Sequence, residues 1–139
     1  IVASMKNVFG KEPKVYARTR NGRIAFTIRL SSKEVVKFLQ TVNDFSSRDC
    51  NVPWNYLKTI ETKRGFLSGL FDSEGTVRKG KLEVNLSSIN LQGLVDVQKL
   101  LKEFGIESSI GKDGKFYRLY IFGYYNLSHF INEIFQFSL

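Results

Sequence analysis

The residue best placed to do chemistry is Glu74, near the end of the stretch FLSGLFDSEG, Phe66 to Gly75. A carboxylate can ligate a hard divalent cation. The residues before Glu74 are suited to delivering it. Gly65, Ser68, Gly69 and Asp72 recur at helical spacing as a stripe of small residues, which lets a second helix backbone approach closely. Phe66, Leu67, Leu70 and Phe71 project to either side of the stripe as apolar anchors, and Glu74 emerges past the last turn beside a flexible Gly75. Asp72 lies within the stripe and reads as a structural hydrogen-bonding residue. His129, on the last helix, reads as an ordinary surface or core histidine, and Cys50 has no chemical role.

Composition limits the partners and the metal. Lys and Arg number 21 against 13 Asp and Glu, a formal net charge of +8, which favours a polyanion and first of all nucleic acid. With Cys50 the only cysteine and His129 the only histidine, neither an internal disulfide nor a Cys/His zinc site can be built. Any metal is therefore held by oxygen, as Mg²⁺ or another hard divalent cation is. No apolar run approaches the length of a membrane span and no signal peptide opens the chain, so no membrane partner is expected and the protein reads as intracellular, not secreted. At 139 residues with 42% apolar character, the chain suits one compact domain or two small halves sharing a core.

The elements that position these residues can be read in order. Val2, Met5, Val8 and Phe9 predict the tail of an amphipathic helix stopped by Gly10. Lys14 to Arg20 alternates, with Val15, Ala17 and Thr19 on one face and Lys14, Tyr16, Arg18 and Arg20 on the other; Asn21 and Gly22 turn a hairpin. The return strand, Arg23 to Leu30, puts Ile24, Phe26, Ile28 and Leu30 inward and Arg23, Ala25, Thr27 and Arg29 outward. Ser31 or Ser32 caps a helix with an apolar stripe of Val35, Phe38, Leu39, Val42 and Phe45. Periodicity lapses over residues 44–58, which carry Pro53 and read as a linker packed down by Trp54 and Tyr56. Helical pattern resumes near Ile60.

Beyond Gly75 the pattern predicts a strand Thr76 to Lys79, a turn at Gly80 and a strand Lys81 to Ser87. In the second strand Leu82, Val84 and Leu86 oppose Lys81, Glu83, Asn85 and Ser87. A helix from about Leu91 to Gly105 follows, then a hairpin turning at Asp113 and Gly114. There Tyr117, Leu119 and Ile121 face in and Lys115, Arg118 and Tyr120 face out. A last helix carries Leu127, Phe130, Ile131, Ile134 and Phe135. The two halves repeat an order of helix end, strand, turn, strand, helix: Phe9 and Gly10 match Phe104 and Gly105, and Asn21 and Gly22 match Asp113 and Gly114.

Leu67 to Gly75 resembles, position by position, the LAGLIDADG motif of the homing endonucleases, and the order of elements after it resembles that family's half domain. The resemblance implies an α+β fold: an αββαββα half domain at residues 60–139, a linker at 46–59, and the C-terminal part of a preceding repeat at 1–45. Antiparallel saddle sheets would carry helices on one face. It implies that Glu74 is the catalytic, metal-binding acid of a DNA endonuclease that hydrolyses phosphodiesters, the cation stabilising charge on the leaving oxygen while an activated water attacks phosphorus. It further implies that Gly65, Ser68, Gly69 and Asp72 meet a second motif helix, supplied by an N-terminal half absent from this chain or by a second subunit. The outward strand faces would bind double-stranded DNA through Tyr16, Arg18, Arg20, Arg23, Thr27, Arg29, Arg78, Lys79, Lys81, Glu83, Asn85, Ser87, Lys112, Lys115, Arg118 and Tyr120. The basic residue that often assists near the end of the second strand is missing: that neighbourhood reads Ser87, Ser88, Ile89, Asn90. Either a serine, an asparagine or an ordered water replaces it, or this half of the site is impaired. Alternatives are a non-cleaving module, such as an RNA maturase or a DNA-binding descendant of the fold, and a basic α+β domain with a protein partner. The terminal Phe137, Ser138, Leu139 gives no support to self-splicing, which requires a His-Asn pair.

Overall fold

A computed structural model describes residues 2–20, 22–42, 51–78 and 80–135. Asn21, Phe45, Cys50, Lys79 and the terminal Phe137, Ser138 and Leu139 lie outside the described residues, as do the first residues of the expected linker. The chain divides into two units, one reaching to Thr41 and the other beginning at Val42.

The first unit consists of α1 (Val2–Phe9), β1 (Lys14–Arg20), β2 (Arg23–Arg29) and α2 (Lys33–Val42). Gly10 closes α1 at φ 63, its N–H donating to the Lys6 carbonyl at 2.8 Å. Ser32 is the residue that caps α2: its Oγ accepts from the Val35 N–H at 3.3 Å and its carbonyl from the Val36 N–H at 3.1 Å. The strands pair antiparallel with the predicted alternation. The expected burial of the apolar side does not follow, because Ile24 is 66% and Phe26 69% exposed. A two-stranded ribbon and two short helices do not supply enough apolar surface to enclose a core of their own.

The second unit does enclose one. It runs α3 (Ile60–Glu74), β3 (Gly75–Val77), β4 (Glu83–Ser88), α4 (Leu91–Glu103), β5 (Ser109–Asp113), β6 (Phe116–Phe122) and α5 (Tyr124–Glu133). The sheet order is β3-β4-β6-β5, antiparallel throughout. Leu67 and Phe71 of α3, Leu94, Leu100 and Leu101 of α4, Leu119 and Ile121 of β6 and Phe130 of α5 form the interior. Phe71 meets Phe130 edge-on at 4.8 Å between centroids. Each such side chain contributes roughly 1.5–3 kcal/mol by leaving water. Arg64 fastens α3 to α5, donating from Nε to the Glu133 carbonyl at 2.7 Å and from Nη2 to its carboxylate at 2.8 Å.

Details depart from expectation for local reasons. Glu83 opens β4 because the preceding residues form a turn in which the Lys81 N–H donates to the Arg78 carbonyl, and Leu82 is left 68% exposed. Val52 and Leu57, not Trp54 and Tyr56, enter the core from the segment before α3. Ile131 faces solvent. No described helix is long and apolar enough to cross a membrane.

Candidate functional site

The helix that carries Glu74 is defined at both ends. Thr59 caps α3 reciprocally with Thr62, each side chain bonding the other's backbone. At the far end no loop intervenes: Glu74 is the last helical residue and Gly75 the first of β3. Gly75 is required for close approach and not for flexibility. Its φ is −70, its N–H donates to the Phe71 carbonyl, and a Cβ there would collide with that same oxygen. Glu74 is exposed, at the helix end where the macrodipole disfavours an acid, so folding alone gives no reason for it.

Glu74 lines a cavity of about 520 Å³. Phe66 and Leu70 of α3, Leu86 of β4 and Leu94 and Val97 of α4 make its apolar wall; Ser87, Ser88 and Asn51 add polar groups. Among the described residues no Lys or Arg lines it. Asn90 is committed to capping α4, its Oδ1 accepting from the Gly93 N–H at 3.0 Å while its Nδ2 donates to Asn51 at 3.1 Å. Ser88 Oγ accepts from the Asn90 N–H at 3.0 Å. Ser87 Oγ accepts from Arg118 Nε at 3.0 Å. Among the described residues no group of three or more His, Cys, Asp or Glu could hold a metal, and of those lining the cavity Glu74 is the one carboxylate. That donor, with neighbouring hydroxyls, fits a hard cation whose remaining ligands are water and substrate phosphate oxygens.

Of the predicted interhelical stripe, Gly65 and Gly69 face open space and Asp72 is exposed, whereas Ser68 is only 4% exposed and belongs to the packed side. The open stripe is therefore narrower than the spacing implied.

The strand residues separate into two sets. In β1 and β2 the cross-strand pairs Lys14↔Arg29, Tyr16↔Thr27, Arg18↔Ala25 and Arg20↔Arg23 lie on one face, as predicted. Arg29 also lies over the Tyr16 ring at 5.7 Å. Lys14, Arg18, Arg23 and Arg29 form no ion pair among the described residues. In the four-stranded sheet the outward rows are Thr76, Asn85, Tyr120, Ser109 and Ser87, Arg118, Gly111. Here the cations are tethered: Arg78 to Glu83 at 3.9 Å and Arg118 to Asp113 at 2.8 Å. Asn85 keeps its outward row but is only 6% exposed, and it donates to Glu83 at 3.3 Å. Lys112 pairs with Tyr117, which places it in the opposite, core-side row; Lys81 and Lys115 lie in turns and not on strands. Asp113, a turn residue by its sequence pattern, is the tethering acid: it ends β5 and pairs with Phe116 of β6.

A family model described as a LAGLIDADG-like domain matches residues 61–134. Among curated proteins, the chain is 32% identical over 89 residues to elongation factor 2 of Methanopyrus kandleri, covering 64% of this chain and 6% of that protein. It is 29% identical over 128 residues to the tRNA-splicing ligase RtcB of the same organism, covering 77% of this chain and 13% of that one. The chain thus spans only a small part of the curated relatives it matches. Among solved structures, I-DmoI in complex with DNA and Mn superposes with a TM-score of 0.69 at 18% identity, over 99% of this chain and 71% of that one. Full-length DUF199/WhiA from Thermatoga maritima superposes with a TM-score of 0.62 at 17% identity, over 95% and 42%.

Proposed function

This chain belongs to the LAGLIDADG-like domain family, and on that premise we propose that it is a site-specific DNA endonuclease of the homing type, or part of one. Its reaction would be metal-dependent hydrolysis giving staggered double-strand breaks at a long target. The single observation that carries this reading is Glu74: an exposed acid at an electrostatically unfavourable helix end, joined directly to β3 and lining a cavity. Glu74 would hold Mg²⁺ or a similar hard divalent cation together with a phosphate oxygen, and the bound cation would supply charge stabilisation at the leaving oxygen. The remaining donors are water, substrate and a second acid brought by another motif helix against Gly65 and Gly69. The source of that helix is an N-terminal half or a second subunit.

The β1–β2 face supports double-stranded DNA as substrate. It sets Lys14 directly opposite Arg29, a pairing that repels unless a polyanion lies over it. We assign residues 60–139 to a complete repeat, 46–59 to a linker and 1–45 to the back part of another. The family match at 61–134 falls inside the first of these ranges. Likeness to short stretches of proteins as different as an elongation factor and an RNA ligase supports an element carried within host genes, as an intron- or intein-encoded nuclease is. A non-cleaving nucleic-acid-binding module, such as an RNA maturase, is the second reading; the lack of a second acid among the described residues lining the cavity favours it.

The test incubates the chain, alone and with a segment bearing a second motif helix, with a plasmid library of randomised inserts and Mg²⁺. Wild type linearises a subset of plasmids and Glu74→Gln linearises none while binding DNA equally. Tight binding without cutting under Mg²⁺ or Mn²⁺ would leave the non-cleaving reading standing.

A further inference from the structure

We propose that the outward row of β6 is a stacking platform for unpaired nucleobases, so that the second unit binds single-stranded nucleic acid. The proposal goes beyond the nuclease reading and does not depend on Glu74. Along β6 the side chains alternate between the two faces of the sheet. Leu119 and Ile121 enter the core and Tyr117 packs against it. The other face receives Phe116, Arg118, Tyr120 and Phe122, so every outward residue of this strand is an aromatic ring or a guanidinium. Successive members of the row stand about 7 Å apart, two residues of extended chain. Folding supplies no reason for these rings. Phe116 is 51% and Phe122 55% exposed. Phe71 and Phe130 meet ring to ring in the interior, whereas among the described residues no ring or cation lies over Phe116, Tyr120 or Phe122. A single exposed phenylalanine is ordinary, but three rings in one row make a patch. Gly111 of β5, opposite Arg118, gives the Tyr120 ring room to lean over it: a Cβ there would meet ring carbon Cε2 at 3.5 Å.

The occupant follows from charge and from the surface a partner presents. Of the 21 Lys and Arg, nine fall in residues 1–41 with only Glu12 and Glu34 against them; beyond residue 41 twelve cations meet eleven acids. The second unit thus has little net charge with which to hold a duplex by its phosphates, and its Arg78 and Arg118 are already paired with carboxylates. A duplex also keeps its base faces stacked inside, offering this row only edges and phosphates. Unpaired bases offer their π-faces, which stack on aromatic rings and on an arginine plane. Ser87 Oγ at 3.0 Å and Asp113 Oδ2 at 2.8 Å anchor the Arg118 guanidinium between the rings. The hydroxyls of Thr76 and Ser109, exposed in the cross-strand row of Tyr120, can bond base edges of either donor or acceptor type. A second copy of the chain or another protein docked here would bury the Arg118–Asp113 pair, at a cost in desolvation that a solvated strand does not impose.

The test measures fluorescence anisotropy of three labelled probes of one mixed sequence, about 12 nucleotides long, titrated with the full chain: single-stranded DNA, single-stranded RNA and the DNA duplex. Tyr120→Ala and Phe122→Ala each weaken single-strand binding about 10-fold and leave duplex affinity within about 2-fold. Phe122→Leu, which keeps apolar bulk without a π-face, weakens single-strand binding nearly as much and melts with wild type. Loss for DNA, for RNA or for both supports the platform and identifies the strand it takes. Absence of single-strand binding by wild type, unchanged affinity in the Tyr120→Ala, Phe122→Ala double variant, full retention in Phe122→Leu, or an equal loss for the duplex overturns it. So does a wild-type dimer in sedimentation that the double variant dissociates while single-strand binding persists, since the rings then serve a second copy. The readout is binding, so a chain that never cuts DNA answers it equally, and the nuclease reading stands or falls separately.

Discussion

In the β1–β2 hairpin, Lys14 sits opposite Arg29 and none of Lys14, Arg18, Arg23 and Arg29 has an acidic partner among the described residues; in the four-stranded sheet, Arg78 and Arg118 are each tied to a carboxylate. The two faces therefore suit different tasks. Untethered guanidiniums on a ribbon attract phosphate over a distance and adapt to where it lies, with little orientation of their own. A guanidinium held by Ser87 and Asp113 has already lost its rotamer freedom, so it can present donors in one direction at small further cost in entropy. The units differ in the same sense in their interiors: one has no fully buried side chain on either helix, the other a continuous core.

The largest test of this contrast is thermodynamic. Phe130→Ala in the second unit should cost about 3–5 kcal/mol, read from chemical denaturation, because the ring is fully buried against Phe71 and Phe135. Phe26→Ala in the first unit should change stability by less than about 0.5 kcal/mol, since that ring is already 69% exposed. Comparable losses would mean that the hairpin has a core the contrast denies it.

Next comes the helix–strand junction. Gly75→Ala should destabilise the second unit by about 1–3 kcal/mol, as the added methyl meets the Phe71 carbonyl; Gly69→Ala, with open space around it, should be neutral or stabilising. Thermal melts of the two variants decide whether the close approach at Gly75 is as tight as drawn.

The charge contrast is read from salt dependence. Replacing Arg18, Arg23 and Arg29 by Gln should flatten the slope of log affinity for duplex DNA against log salt by about 2–3, whereas Arg78→Gln alone should alter it by less than about 1. Equal slopes per cation would erase the distinction between the two faces.

The smallest effect lies in the first unit. Glu34 is held down to about 2, from an ordinary 4.5, by the hydrogen bond from Ser32 and then by Lys11. A depressed carboxyl stabilises the fold above its ordinary value and loses that contribution as pH falls from 4.5 towards 2. The group is fully exposed, so the change in melting temperature should be slight; carboxyl titration by nuclear magnetic resonance should show Ser32→Ala raising the value more than Lys11→Met.

Much of this was legible in the chain because local rules wrote it. Alternation from Lys14 to Arg29 was enough to sort both hairpin faces, and the small and large residues of α3 located Glu74. What was not legible depended on neighbours distant in sequence. Alternation alone cannot say whether another layer covers a face, so Ile24 and Phe26 read as interior and are not. Nor can it say that Asp113 meets Arg118 or that Arg118 meets Ser87, since those contacts depend on the register of β4, β5 and β6. The turn that exposes Leu82 is set by backbone hydrogen bonds that side-chain hydropathy does not record.

The direct passage from α3 into β3 has an evolutionary consequence. With no loop between Glu74 and Gly75, the carboxylate inherits its position from the packing of Phe71 and from one tight backbone contact. Residues on the outward rows of the sheet do not set it. Such a chain can be rewritten, by drift or by an engineer, at Thr76, Ser109 or Tyr120 without shifting its acid. On the proposed nuclease reading, retargeting would thereby be separable from reactivity, provided that the glycine stays.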